Sequence, residues 1–267
     1  MLYADAQLAR RLEVTDAESQ LDWIAACHRL YPNAGSCVEP VAGGYTYFAG
    51  AGSPISRAIG LGFAGPVTAA DLDRLEAFYT SRGATPQLDL CPLADPSLMN
   101  LLGERGYRIQ WFLNVLVRPV LPGEMFESPA QGVTVELAGP EDPAEWVEAV
   151  AAGFGDNSTG SPDEVRIELV NIHKADNACY LARVDGQAAG GGCMTIRDGL
   201  AGLFGASTRP EFRRRGAQSA LLNARLADAA SAGCDLVRVI TSPGSQSQRN
   251  AERAGFRMAY TKLRMGK

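Results

Sequence analysis

The sequence predicts an α/β (α+β) protein built from two copies of one unit, and three observations predict it. A proline-rich break, Arg118-Pro119-Val120-Leu121-Pro122-Gly123 followed by Glu127-Ser128-Pro129, divides the chain near its middle, because proline removes a donor and restricts the residue before it. On each side, strand-like and helix-like hydrophobic periods alternate. The two sides also echo one another. Glu104-Arg105-Gly106-Tyr107-Arg108 resembles Glu252-Arg253-Ala254-Gly255-Phe256-Arg257, and each stands at a helix-to-strand turn.

Upstream of each echo lies a strand that ends in proline, Gln87 to Pro92 or Val237 to Pro243. Before that comes a helix that stops at a glycine, Gly83 or Gly233. The distance from helix stop to turn is almost the same in the two halves (83 to 106 and 233 to 255). Past the break, Val133–Leu137 reads as a strand, 142–154 and 163–173 as helices, and 179–184 as a strand before the turn Asp185-Gly186. Strands at 190–196 and 200–206 follow. A helix over 218–232 places Leu221, Leu222, Leu226 and Ala229 on one face. The buried strand Leu236–Ile240, a helix before Gly255 and a closing strand from Phe256 complete the order.

With 267 residues, 46% hydrophobic and 21% charged, the composition excludes a disordered chain and a disulfide-built miniprotein. The formal charge of −5 is unevenly spread. Residues 131–267 carry 16 basic and 16 acidic side chains and residues 1–130 carry 9 and 14, so the acidic excess is N-terminal. Such a balance argues against a nucleic-acid partner held by phosphate contacts and leaves the C-terminal half as the place for an anionic ligand. Six cysteines without C-x-x-C spacing read as free thiols, and His28 and His173 form no metal-ligand pattern, so no metal is expected. The absence of a leader-like start or a long apolar run leads to the expectation of a cytoplasmic protein with no membrane partner. A homodimer is compatible with the sequence and not specified by it.

The strongest chemical signal runs from Phe204 to Leu222, where a strand leads into a turn with three consecutive arginines and a glycine and then into a helix. Such a turn aims backbone N–H groups at one spot, the helix N-terminus adds partial positive charge and the arginines add whole charges, which together suit a pyrophosphate. Arg213-Arg214-Arg215-Gly216-Ala217-Gln218 resembles the R/Q-x-x-G-x-G/A signature of the GCN5-related N-acetyltransferases (GNAT), with Gln218 in place of the last glycine or alanine. The resemblance covers about residues 133–265.

It implies two tandem acyltransferase-like domains, each a mixed, mostly antiparallel sheet flanked by helices: residues 1–121 without a cofactor loop, a linker at 122–130, and residues 131–267 binding acetyl-CoA. It further implies that the backbone of Phe204, Gly205, Ala206, Ser207 and Thr208 pairs with the pantetheine arm. The loop formed by Arg213, Arg214, Arg215, Gly216, Ala217, Gln218 and Ser219 would hold the pyrophosphate, and an N–H near Ala206 would meet the thioester oxygen.

The implied reaction is direct transfer of an acetyl group to a primary amine of a small molecule or peptide. The alternative is a non-catalytic acyl-CoA-binding or sensing module. The family's frequent tyrosine four residues before the G-F turn is Ala251 here. Ser247 matches a sister pattern and is the candidate for a group near the sulfur, with helix capping as its other reading. Asn250 is a candidate to bond the cofactor arm or to serve structure alone. No base is assigned: Asp156, Glu168 and Asp198 are carboxylates that could approach the acceptor, with a solvated surface position as the expected reading, and Cys193 could carry an acyl group, with a buried structural thiol as the expected reading. In the first half, Gly65 to Asp73 has two acids and no arginine at the place of the basic loop, with Thr68 read as a helix cap.

Overall fold

In the computed structural model, which describes residues 4–154 and 160–267, the first helix, α1 (Ala6–Leu30), starts where the Asp5 side chain accepts a hydrogen bond from the Leu8 N–H at 2.8 Å. The strands β1 (Cys37–Val41) and β2 (Gly44–Phe48) form a hairpin through Ala42-Gly43, both at positive φ, the geometry that matches strand twist in a two-residue turn. β3 (Ala58–Ile59) follows. Helix α2 (Ala69–Thr80) begins at Thr68 as the sequence suggests, with a capping box in which Thr68 and Asp71 each bond the other's backbone N–H. Then come β4 (Gln87–Leu90), α3 (Pro96–Glu104), capped by Asp95 with Pro96 in its first turn, and β5 (Arg108–Pro119). Leu72, Leu75, Phe78, Leu88, Leu98 and Leu102 form the core of this part.

Beyond the break come β6 (Val133–Ala138), α4 (Ala144–Phe154), α5 (Pro162–His173), β7 (Asn177–Val184), β8 (Gln187–Arg197) and β9 (Leu200–Thr208). A short turn of 3-10 helix, Pro210–Phe212, leads to α6 (Ala217–Ser231), β10 (Leu236–Thr241) and α7 (Gln246–Arg253). β6 to β9 are successive antiparallel neighbours, and α6 carries the chain over to β10, which runs parallel to β9. Two-residue turns at Asp185-Gly186 and Asp198-Gly199, all four residues at positive φ, join β7 to β8 and β8 to β9. Trp146, Val147 and Val150 of α4 and Ile172 of α5 pack with Cys179, Leu181 and Cys193 into the core of this part.

The last strand, β11 (Arg257–Gly266), belongs from Met258 onward to the same compact unit as the N-terminal part of the chain. It pairs antiparallel with β4, from Leu263 opposite Leu90 to Gly266 opposite Gln87. The chain divides into one compact unit made of Met1–Leu116, Thr241–Ser245 and Met258–Lys267, and a second made of Val117–Ile240 and Gln246–Arg257. Strand order within the first is β1-β2-β3-β4-β11-β5 and within the second β10-β9-β8-β7-β6.

Charges on β11, the buried Lys262 and the half-buried Arg264, meet acidic partners in the first unit. Lys262, fully buried, donates to Glu13 Oε2 at 3.3 Å and Asp16 Oδ2 at 3.2 Å, while the Tyr260 hydroxyl donates to Glu13 Oε1 at 2.8 Å. Arg264 and Arg57 both bond Asp89, at 2.9 Å each. Burial pushes the Asp89 carboxyl up, but Arg57, Lys262 and Arg264 outweigh it and hold the group at about 2.

Candidate active site

The site begins with a fault in a strand. On β8 and β9, Gly190 faces Thr208 and Gly191 faces Ser207, but the next pair is Cys193 with Phe204, so Gly192 stands against both Gly205 and Ala206. Gly205 takes φ +60°, a conformation that an L side chain adopts only with strain. β10 accompanies β9 only as far as the pair Val239 and Leu203. From Phe204 to Thr208 the β9 edge turned away from β8 therefore has no β10 partner, and its backbone groups are available to an extended ligand.

Below that edge the chain makes the basic turn. Arg214 and Gly216 have φ of 64° and 89°, and Gly216 opens α6 without any side-chain cap. Among the described residues no side chain caps the first N–H groups of α6, which is the condition for binding an anion there. The corresponding helix of the first unit, α2, differs: Thr68 and Asp71 occupy its donors and Asp71 adds negative charge.

The three arginines have different roles. Arg213 donates to the Thr208 carbonyl at 3.2 Å and the Gly153 carbonyl at 3.4 Å, Arg215 is drawn into an ion pair with Asp185, and among the described residues Arg214 bonds no carboxylate. Gln218, the departure from the signature, folds its amide onto Thr208 Oγ1 at 2.7 Å.

Strand, loop and α7 line one groove of about 670 Å³ within the second unit. Ala206, Ser207 and Thr208 contribute from β9. Arg213, Arg214, Gly216, Ala217, Gln218 and Ser219 contribute from the loop and α6, and Ser247 and Asn250 from the exposed side of α7. Of the residues expected at the cofactor, Phe204, Gly205 and Arg215 are not among the groove's walls. Ser207 donates its hydroxyl to the Val150 carbonyl at 2.7 Å, so its O–H is not available as a donor to a ligand. Asn250 Oδ1 accepts from Gln246 at 2.8 Å and Arg253 at 3.2 Å. Ala251 is buried and brings no hydroxyl.

Glu168 overturns its expectation as a solvated residue. It is 3% exposed, on the face of α5 that carries Ile172, and accepts from Asn171 Nδ2 at 2.9 Å. Burial pushes its carboxyl up to about 7, opposed by the Asn171 hydrogen bond and assisted by the charge of Glu164. A Cβ built on Gly205 would lie 3.8 Å from Glu168 Oε2, 3.8 Å from Asn171 Nδ2 and 3.7 Å from Cys193 Sγ, so the carboxyl stands beside the strand fault. A signal existed in the sequence: Glu168 lies in the apolar stripe of α5, three residues after Val165 and four before Ile172.

Cys193 is buried, with Sγ 3.4 Å from that of Cys179, and burial together with that neighbour raises its thiol well above the ordinary range, which makes it a poor nucleophile. Asp198 sits in the turn at the other end of β9, and Asp156 lies outside the described residues. Among the described residues no group of three or more His, Cys, Asp or Glu is placed to hold a metal, and no helix is long and apolar enough to cross a membrane.

Residues 144–256 match the model of the acetyltransferase (GNAT) family. No curated protein sequence matches the chain. Among solved structures, a GCN5-related N-acetyltransferase from Kribbella flavida is similar at a TM-score of 0.68 and 19% identity, covering 96% of this chain and 95% of that one. A tandem GNAT protein from the clavulanic acid biosynthesis pathway is similar at 0.60 and 15%, with 95% of each chain covered. A GCN5-related N-acetyltransferase from Sphaerobacter thermophilus is similar at 0.55 and 21%, covering 69% of this chain and 59% of that one. At these identities the structures speak for the fold, and the matched segment for the family. Residues 144–256 are thus similar in sequence to the acetyltransferase (GNAT) family, and the fold is similar over 95% of each chain to that of a tandem GNAT protein.

Proposed function

We propose that the second unit transfers an acetyl group from acetyl-CoA directly to a primary amine of a small molecule or peptide, with Glu168 as the base. The observation that carries the reading is a buried carboxyl, poised at about 7, beside the one stretch of β9 whose edge is open. A base works best when its pKa lies near the working pH, and it must reach its proton directly or through one water. The residues fit acetyl-CoA: the uncapped N-terminus of α6 and Arg214 suit the pyrophosphate, and the β9 edge beyond its β10 partner, of which Ala206 to Thr208 line the groove, suits the amides of the arm.

Acetyl-CoA supplies the activated acyl group. Glu168 would take the proton of the incoming amine as its nitrogen bonds the acyl carbon, a backbone N–H at the strand fault would bond the acyl oxygen, and the C–S bond would break to release CoA as its thiolate, which then takes a proton from water; Ser247 and Asn250 line the same groove. The first unit, in this reading, is a degenerate copy that binds no acyl-CoA, since Thr68 and Asp71 close the helix end that would receive the phosphates.

Ala251, where a phenol would protonate the leaving thiolate, favours the rival reading as an acyl-CoA sensor. The two are separated by following thiol release from acetyl-CoA with a panel of primary amines. Amine-dependent release supports the transferase; binding of acetyl-CoA with no release under any amine supports the sensor.

A further inference from the structure

Arg225 of α6 is 3% exposed, and both of its hydrogen bonds go to backbone carbonyls: Nε donates to Leu221 at 3.0 Å and Nη1 to Cys193 at 3.1 Å. Among the described residues no carboxylate pairs with it. Burial lowers its guanidinium only to about 10, so it remains a cation at neutral pH. A buried charge without a counter-charge is costly, and an apolar side chain would serve the packing better.

Its position gives the cost a purpose. The place where a Cβ on Gly192 would stand is 2.9 Å from Arg225 Nη1 and 3.1 Å from Ala206 Cβ, so the guanidinium lies against the residue of β8 that faces the strand fault. The neighbour Cys193 points its thiol to the other face, toward Gly205 and the Glu168 carboxyl, while its carbonyl is held by Arg225. The fault is thus flanked by a buried carboxyl on one face of the sheet and a buried guanidinium on the other. Gly192 is the residue that lets the guanidinium approach.

We infer that Arg225 is a positioning residue for the acyl site: anchored on the Cys193 carbonyl, it holds the β8–β9 fault in register and sets a fixed positive field beneath the place where the acyl oxygen gains negative charge. This inference rests on the acetyltransferase reading. Fixed charges in a water-poor site act on developing charge without reorganising, and they act through a few ångströms of protein more strongly than through water.

The test uses the full-length protein and acetyl-CoA labelled with 13C at the carbonyl, and needs no knowledge of the acceptor. Infrared difference spectra report how far binding lowers the thioester C=O stretch. The parent protein is expected to lower it, Arg225→Lys to keep part of the shift, and Arg225→Met to lose at least about half, with the affinity for CoA itself changed less than about twofold. Gly192→Ala keeps every charge but displaces the guanidinium, so it should also lose the shift, and it provides the reading if Arg225→Met does not fold. Equal shifts in parent and variants, or a CoA affinity that falls in step with melting temperature, would overturn the inference alone. A parent that binds no acetyl-CoA would overturn the acetyltransferase reading and this inference with it.

Discussion

Glu168 holds its proton to about pH 7 because it is buried, on the face of α5 that carries Ile172, with one amide donor, Asn171. The folded state therefore binds a proton that the unfolded chain, with an ordinary value of 4.5, releases earlier. Stability is unaffected by this group below about pH 4.5 and falls as pH rises through about 7, by on the order of 3 kcal/mol. Glu168→Gln is isosteric and stays neutral. It should raise the unfolding free energy at pH 8 by roughly 1–3 kcal/mol, leave it unchanged at pH 4, and lower amine-dependent turnover about 10²- to 10⁴-fold. Parallel denaturation series at the two pH values check the first part. For the parent, kcat/KM should rise with pH to a plateau, half-maximal near 7. A flat profile, or an active Gln variant, would remove Glu168 from the chemistry.

At the scale of elements, the two helix starts differ in what they offer an anion. α2 and α6 both follow a turn, yet Thr68 and Asp71 satisfy the first while Gly216 leaves the second open. Arg214, with no carboxylate partner among the described residues, is the arginine available to a ligand, whereas Arg215 is engaged by Asp185. Isothermal titration with acetyl-CoA should find Arg214→Ala weakened roughly ten- to hundredfold, the worth of a charge-assisted hydrogen bond. Arg215→Ala should change the constant by less than about twofold, because its pair with Asp185 is exposed. Much of this was legible in the sequence: a glycine after three arginines and before a helix is a local pattern, and the D-G turns flanking β8 are too. That Arg215 is lost to Asp185 was not, since the two are thirty residues apart and meet only through folding.

For the whole molecule, the unexpected feature is that the first unit is completed by the last strand. β11 lies between β4 and β5 in that unit, and Lys262 on it neutralises Glu13 and Asp16 from α1, with Asp89 at 4.0 Å. Removing the cation leaves buried carboxylates uncompensated. Lys262→Met should therefore cost about 3–5 kcal/mol, and the double variant Lys262→Met with Glu13→Gln should recover part of it. Urea denaturation followed by tryptophan emission in a background with Trp111 and Trp146 replaced by Phe, which leaves the buried Trp23 of the same unit as reporter, reads the loss. A change under about 0.5 kcal/mol would mean that β11 is held by its ladder and apolar contacts alone.

The sequence by itself determined what local chemistry determines. The alternation of helix and strand, the proline break, the internal echo and the arginine-glycine turn before α6 all lie within a few residues of one another, and propensity, capping and backbone φ act at that range. The tertiary structure decided everything that depends on burial and on partners distant in sequence. It turned Glu168 from a surface acid into a buried group poised near neutrality, and it placed Arg225 under the strand fault with no carboxylate partner among the described residues. It also handed β11 to the first unit, because a lysine or a glutamate reads as polar in a sequence, and only the packed neighbours settle whether it meets water, an opposite charge or neither.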